Sequence, residues 1–238
     1  MKAGNLLEQF LGGAGGGASQ HGDQQQGGQG GSPMGGFTGG ALAGGVLGLL
    51  LGNKKMRKMA GGVVSYGAAA GAGALAWQAY RNWQEGKDAA SAPLPTPEDA
   101  ARLDPRFQPD AATASDGEPF PRVLMRAMIA AARADGHIDA DEQRRLFEQV
   151  DRLGLDAEGK AFVFDALNEP VSVSDLAASA TGIEQASEIY LVSRLAIDPD
   201  HPAERAYLEA LAHRLDLPGD LVAHLDHQVE AGTEPVQD

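Results

Sequence analysis

Residues 59–80 read MAGGVVSYGAAAGAGALAWQAY, an uncharged run of 22 residues. A helix needs about 20 apolar residues to cross the hydrocarbon core of a bilayer, so the length of this run predicts a membrane segment. A basic cluster at residues 54–58 (KKMRK) precedes the run, and a long acidic region follows it. The run is rich in Gly and Ala rather than Leu, which weakens membrane insertion, and the alternative is a hairpin buried against another protein.

A second uncharged segment, Phe37–Gly52, lies before the basic cluster. Its glycines recur at every fourth position, at 40, 44, 48 and 52, which aligns them along one face of a helix. Small residues in that spacing let two helices approach closely. Residues 37–85 are therefore predicted to form a Gly/Ala-rich helical hairpin with one or two membrane segments. The same glycine stripes predict a homo-oligomer.

The charge is distributed unevenly along the chain. Residues 1–85 hold six basic and three acidic residues, and because the whole chain carries a net charge of −14, the remainder carries −17. A basic part beside an acidic part suits anchoring at an anionic membrane surface. Nucleic acid is not an expected partner, because phosphate contacts need clustered Lys and Arg on the soluble domain. The absence of cysteine excludes disulfides, zinc thiolate sites and thiol catalysis.

Composition divides the rest of the chain into segments. Residues 1–36 are predicted to be a short amphipathic start followed by a disordered Gly- and Gln-rich tail. Residues 86–117 hold five prolines, which predicts a semi-extended linker. Residues 118–232 show helical periodicity throughout, which predicts an all-α bundle of six to seven short helices. Residues 233–238 are predicted to be a disordered tail.

Two helix junctions within this bundle gather carboxylates. The first spans residues 134–142 (ADGHIDADE), and the second spans residues 196–204 (AIDPDHPAE). Oxygen ligands of this kind suit a hard divalent cation such as calcium or magnesium. The candidate metal ligands are Asp135, Asp139, Asp141 and Glu142 in the first junction, and Asp198, Asp200 and Glu204 in the second.

Helix capping is the alternative role for these carboxylates. An aspartate at a helix start accepts hydrogen bonds from free backbone N–H groups, and a good cap contributes about 0.5–2 kcal/mol. The first junction does not match an EF-hand, because Ala140 stands where that loop needs glycine and Leu146 where it needs glutamate. Thr181 and Glu184 predict a further capping box. His224 and His227 share a helix face and are interpreted as a solvated surface.

The segment AAARADGHIDADE at residues 130–142 and the segment IDPDHPAERAYL at residues 197–208 resemble the TerB-like fold of tellurite-resistance proteins. The chain also resembles the uncharacterised bacterial inner-membrane family typified by YebE. This second resemblance lies in the start LLEQFL, the Gly-rich apolar segments and the stretch ALAWQAY at residues 74–80. The resemblance implies an all-helical TerB-like domain, a location in the bacterial inner membrane and acidic junctions suspected of metal binding. It implies no established activity.

These observations predict a membrane-anchored, non-catalytic interaction or sensor module of the bacterial envelope. Its acidic domain is expected to bind a protein partner, and its acidic junctions a divalent cation, with a link to tellurite or envelope stress. The sequence has no nucleophile elbow and no Walker-type loop. Two alternatives stay open. One is a metal-dependent hydrolase that uses both acidic turns, and the other is a soluble self-assembling adaptor.

Overall fold

The computed structural model describes residues 68–96, 98–99, 102–134, 157–169, 171–197 and 199–233. Within these ranges the chain forms α-helices and short 3-10 turns, and its β-structure is a single bridge between Thr113 and Pro119. The helices are α1 (Ala68–Gln84), α2 (Phe120–Ala132), α3 (Ala157–Asn168), α4 (Val173–Ser179), α5 (Ile183–Ala196), α6 (Pro202–Arg214) and α7 (Gly219–Thr233). The predicted all-α fold is confirmed for the part of the chain that is described.

Helix α5 lies at the centre of the bundle, where it packs against α1, α2, α6 and α7. A helix that is surrounded in this way must bury its polar side chains together with its apolar ones. The buried hydroxyls of Ser187 and Ser193 donate to the carbonyl oxygens of Ile183 and Ile189, one turn earlier in the same helix. Their burial therefore leaves neither hydroxyl without a hydrogen bond.

Helix α2 supplies the largest apolar side chains of the core. Phe120, Leu124 and Met128 recur at the predicted four-residue spacing, and each is at most 1% exposed. The charged residues of this helix, Arg122 and Arg126, keep to its partly exposed face, where both guanidinium groups lie 5.4 Å from the centre of the Phe162 ring. This amphipathic pattern is what orients α2 against α5.

Helix α1 contains the described part of the uncharged run that is predicted to enter a membrane. It packs against α5 and α7, and Leu75, Ala76 and Ala79 are at most 2% exposed. None of the helices in the described ranges is both long enough and apolar enough to cross a membrane. The membrane prediction is therefore not borne out for residues 68–80, and the small side chains of Ala72, Ala76 and Ala79 are buried within the bundle. Residues 59–67 and Phe37–Gly52 lie outside the described residues.

Residues 85–96 and 102–119, called the strap below, lie against the helices. Phe107 of the strap is fully buried, and Ala92 is 5% exposed. The strap contains 3-10 turns at Ala89–Ser91, Pro105–Phe107 and Pro109–Ala111. A proline at the first position of a turn fixes the backbone without losing a needed N–H group. The prolines therefore shape a packed segment, which differs from the predicted semi-extended linker.

Buried amides fix the strap to α1 and α7. The carbonyl oxygen of Pro93 lies 3.2 Å from Gln78 Nε2, 3.4 Å from Asn82 Nδ2 and 3.1 Å from Gln228 Nε2, each of which donates to it. All three of these side chains are at most 1% exposed. A buried amide that loses its partner costs about 1–3 kcal/mol, so α1, the strap and α7 depend on one another.

Two histidines of α7 also contact the strap. His224 Nε2 lies 3.1 Å from the carbonyl oxygen of Lys87, and its Nδ1 lies 2.8 Å from that of Asp220. His227 Nε2 lies 3.0 Å from the carbonyl oxygen of Ala92. The interpretation of a solvated helix surface is wrong for His224, which is only 4% exposed because the strap covers it.

Gly73 of α1 lies directly against the strap. A Cβ atom built at this position would lie 2.4 Å from the carbonyl oxygen of Phe107 and 3.2 Å from Oε1 of Glu188. The first distance is shorter than any van der Waals contact, and the atom in the way belongs to the backbone. Glycine is therefore the residue that lets the strap, α1 and α5 meet here.

Candidate functional site

A surface cleft of about 470 Å³ opens between α5, α6 and α7. One part of its wall is apolar and consists of Leu208, Ala212, Leu217 and Val222. The other part is polar and consists of Tyr190, Arg194, Arg205, Glu209, His213, Asp226 and Glu230. A concave surface that combines an apolar wall with a few converging polar groups is the usual form of a binding site.

An ion-paired cluster joins α5 to α7 within this cleft. Arg194 Nε lies 3.4 Å from Asp226 Oδ1, and Arg194 Nη2 lies 3.1 Å from Glu230 Oε1. Arg194 Nη1 donates to the carbonyl oxygen of Ile197 at 3.3 Å. The Tyr190 hydroxyl donates to Asp226 Oδ1 at 3.0 Å. The Arg194 side chain is only 9% exposed, so these contacts satisfy a charge that could not otherwise be buried.

The Tyr190 hydroxyl is largely buried among charges of both signs, with the carboxylates of Asp226 and Glu209 opposed by Arg194. Burial raises the pKa of the Tyr190 hydroxyl far above its usual range, and the charges of Asp226 and Glu209 raise it further. Burial also raises the pKa of Asp226, as does Glu230, whereas Tyr190 and Arg194 act in the opposite direction. The side chain of Asp226 remains 35% exposed, so its carboxylate is accessible from the cleft.

The second acidic junction lies beside this cleft and forms a helix cap. Nδ1 of His201 accepts a hydrogen bond from the backbone N–H of Ala203 at 3.3 Å. Glu204 Oε2 accepts one from the backbone N–H of His201 at 3.4 Å. This reciprocal pair is a capping box at the start of α6. A carboxyl oxygen of Glu204 therefore serves the capping role that the sequence leaves open.

Arg205 closes the same junction. Its Nη1 atom donates to the carbonyl oxygens of Pro199 and Asp200, at 2.9 and 2.8 Å. A guanidinium group thus holds the turn through backbone oxygens, while the Asp200 residue is exposed. The Arg205 guanidinium group thus supplies a positive charge to this turn.

The structure describes two of the predicted metal ligands, Asp200 and Glu204. The other predicted ligands lie outside the described residues, and they are Asp135, Asp139, Asp141, Glu142 and Asp198. Among the described residues, no group of three His, Asp or Glu side chains could hold a metal ion. The divalent-cation site therefore stays a prediction, as does the hydrolase that would need both junctions in one site.

The cleft is not evident from the sequence alone. Tyr190 and Arg194 are four residues apart on α5, and Asp226 and Glu230 are four residues apart on α7. Residues in that spacing share one helix face, so each helix carries a polar pair that interrupts its apolar residues. These two pairs, one with an arginine and one with two carboxylates, are the sequence feature that could have indicated the cleft. Their contact depends on which helices become neighbours, which the spacing does not give.

The chain is similar in sequence to known proteins. The model of a family described as "Protein of unknown function (DUF533)" matches residues 36–229, which include α1, the strap and every cleft residue except Glu230. The "Uncharacterized protein in ampR 5'region" of Yersinia enterocolitica is 30% identical over 115 residues, which cover 48% of this chain and 83% of that protein. No solved structure gives a significant match. The chain therefore belongs to the DUF533 family of proteins of unknown function.

Proposed function

We propose that this protein is a non-catalytic binding module whose α5–α6–α7 cleft holds a segment of a partner protein. The observation that carries the proposal is the Arg194–Asp226–Glu230 cluster, which lies beside an apolar wall in an open cleft. The charged groups of this cluster are paired with one another through ion pairs. Groups paired in this way can present a defined recognition surface, whereas a catalytic nucleophile needs a base that is free to take its proton.

The size and composition of the cleft support a peptide segment as the ligand. A volume of about 470 Å³ lies within the range of sites that enclose a small ligand or a few side chains. Tyrosine and arginine are enriched at the energetically important positions of protein interfaces. Tyr190 and Arg194 are among the polar residues that line the cleft, and the apolar lining residues add a surface for aliphatic groups.

Selection from a phage-displayed library of random peptides tests this function on the full chain. Ala212→Trp places a bulky side chain in the cleft, and it is expected to weaken the binding of selected peptides about tenfold or more. Ala210→Trp is the matched control, because Ala210 is exposed on the same helix and does not line the cleft. Circular dichroism checks that both variants fold.

Two results would overturn the binding proposal. One is a wild-type chain that selects no peptides above background. The other is a folded Ala212→Trp chain that binds the selected peptides as tightly as Ala210→Trp. Val222→Trp, at a second position of the apolar wall, gives the same comparison if Ala212→Trp does not fold.

We propose that this module is located at the bacterial inner membrane. Support comes from the uncharged segment Phe37–Gly52, the basic cluster at residues 54–58 and the resemblance to the family typified by YebE. Carbonate extraction of bacterial membranes that contain the full chain is expected to leave the protein in the pellet. Complete release into the supernatant would favour the soluble self-assembling adaptor instead.

The first acidic junction, residues 134–142, is proposed to bind calcium or magnesium weakly. Its carboxylate spacing and the resemblance to the TerB-like fold support this part of the proposal. Calorimetric titration of the full chain is expected to give saturable heat that disappears in the Asp139→Asn, Asp141→Asn double variant. Absence of heat at about 1 mM cation would leave capping as the role of these carboxylates.

A further inference from the structure

We infer that the partner segment held by the α5–α6–α7 cleft carries a lysine or arginine side chain, and this inference rests on the proposed function. Three carboxylates line the cleft, namely Glu209, Asp226 and Glu230. Glu209 is exposed on α6, and the Asp226 side chain is 35% exposed on α7. Carboxylates from two helices thus face the same opening.

The cleft lining holds three carboxylates and two guanidinium groups, so its formal charge is −1. The Arg194 side chain is 9% exposed, and its donors are directed at Asp226, Glu230 and a backbone carbonyl group. Arg205 directs Nη1 at the carbonyl oxygens of Pro199 and Asp200. Burial is the main cause of the raised pKa of the Tyr190 hydroxyl, Asp226 and Glu209 raise it further, and Arg194 acts in the opposite direction.

A basic side chain fits both parts of the cleft wall. Lysine and arginine combine an aliphatic stem with a charged head, and they bury the stem against apolar surface while the head stays polar. Leu208, Ala212 and Leu217 offer the stem an apolar wall, and Glu209 and Asp226 offer acceptors to the head. The net charge of −17 beyond residue 85 would also attract a cationic partner from a distance.

A charge-swap experiment with the selected peptides tests the inference. Those peptides are expected to share a Lys or Arg residue, and Glu209→Lys is expected to weaken their binding about tenfold or more. Replacing the shared basic residue by Glu should restore binding to the Glu209→Lys chain. Glu169→Lys is the matched control, because Glu169 is exposed at the end of α3, outside the cleft, and should leave binding unchanged.

Two outcomes would overturn the cationic ligand. One is a set of selected peptides without a shared basic residue, and the other is a Glu209→Lys chain that binds the original peptide as tightly as wild type. If those peptides are still lost on Ala212→Trp, the cleft binds peptides and only the charge requirement fails. Restored binding of the swapped peptide is a result that a merely structural effect of the substitution does not produce.

Discussion

A chain that begins at residue 85 is expected to lose cooperative folding, although it keeps every residue of the predicted helical domain. Helix α1 supplies Leu75, Ala76 and Ala79 to the core, and its removal exposes the faces of α5 and α7 that it covers. Burying a side chain such as Leu75 contributes about 1.5–3 kcal/mol. Gln228 and the strap also lose the polar neighbours that α1 provides around Pro93. These losses are comparable with a total stability of about 5–15 kcal/mol.

Thermal unfolding followed by circular dichroism, together with the dispersion of amide NMR signals, measures this effect. The matched control is a chain that begins at residue 60, which lacks the first uncharged segment and the basic cluster but retains α1. The control is expected to unfold cooperatively and to show dispersed amide signals. Equal unfolding midpoints for the two chains would mean that α1 is not part of the folded unit.

A single substitution tests the same interface within the intact chain. Gly73→Ala is expected to lower the free energy of unfolding by about 1–3 kcal/mol, because the added methyl group meets the Phe107 carbonyl oxygen at 2.4 Å. Gly219→Ala is the control, since a Cβ there meets nothing within 4 Å. Chemical denaturation of both variants gives the comparison. Equal stabilities would show that the strap can move away from α1 at little cost.

The sequence predicts where the helices lie along the chain better than it predicts which helices pack against one another. The spacing of Phe120, Leu124 and Met128 identifies the buried face of α2, and Pro202 marks the first residue of α6. These features are local, because the period of a helix and the position of a proline depend on adjacent residues. The all-α character follows from them.

Distant contacts account for what the sequence does not predict. Thr181 and Glu184 match a capping box, but Gln185 Oε1 accepts the backbone N–H of Thr181, and Glu184 pairs with Arg106 of the strap. The absence of charge at residues 59–80 is compatible with burial in a bilayer and with burial in a protein core. Helix α1, which holds residues 68–80 of this run, packs against α5 and α7 and contacts the strap, whose many prolines resemble those of a linker.

The cleft is unpredicted for a related reason. Helices α5 and α7 each show a polar pair at helical spacing, yet Tyr190 and Asp226 are separated by 36 positions. Periodicity assigns Tyr190 and Arg194 to α5 without indicating which helix they face. The predicted metal ligands, in contrast, lie close together in the sequence. A search for sequence patterns therefore finds them more easily than it finds residues that come together only after folding.

Replacement of Glu188 by glutamine is expected to stabilise the protein near neutral pH. Glu188 is 1% exposed at the crossing of α5 and α1, and neither of its carboxyl oxygens has a hydrogen-bond partner among the described residues. Burial raises the pKa of this carboxyl well above the usual range for glutamate. An unpaired buried carboxyl is costly in its charged form, and glutamine keeps the shape without the charge.

The direction of the pH dependence follows from proton binding. The folded chain holds the Glu188 proton at pH values where the unfolded chain, with a glutamate pKa of about 4.3, has released it. The contribution of this group to stability is therefore complete below about pH 4.3 and is lost as the pH rises through the folded-state pKa. Each unit of pKa difference corresponds to about 1.4 kcal/mol.

Chemical denaturation of the wild-type and Glu188→Gln chains across this pH range provides the measurement. The difference in free energy of unfolding between the two chains is expected to grow in favour of Glu188→Gln from about pH 4.3 upward, until the pH passes the folded-state pKa. Taking the difference removes the contributions of Asp99 and Asp104, whose hydrogen bonds lower their pKa values and oppose this trend. Glu169→Gln is the matched control, because it makes the same substitution at an exposed position. A flat difference for Glu188→Gln would mean that water or a rearranged side chain reaches Glu188 and solvates its charge.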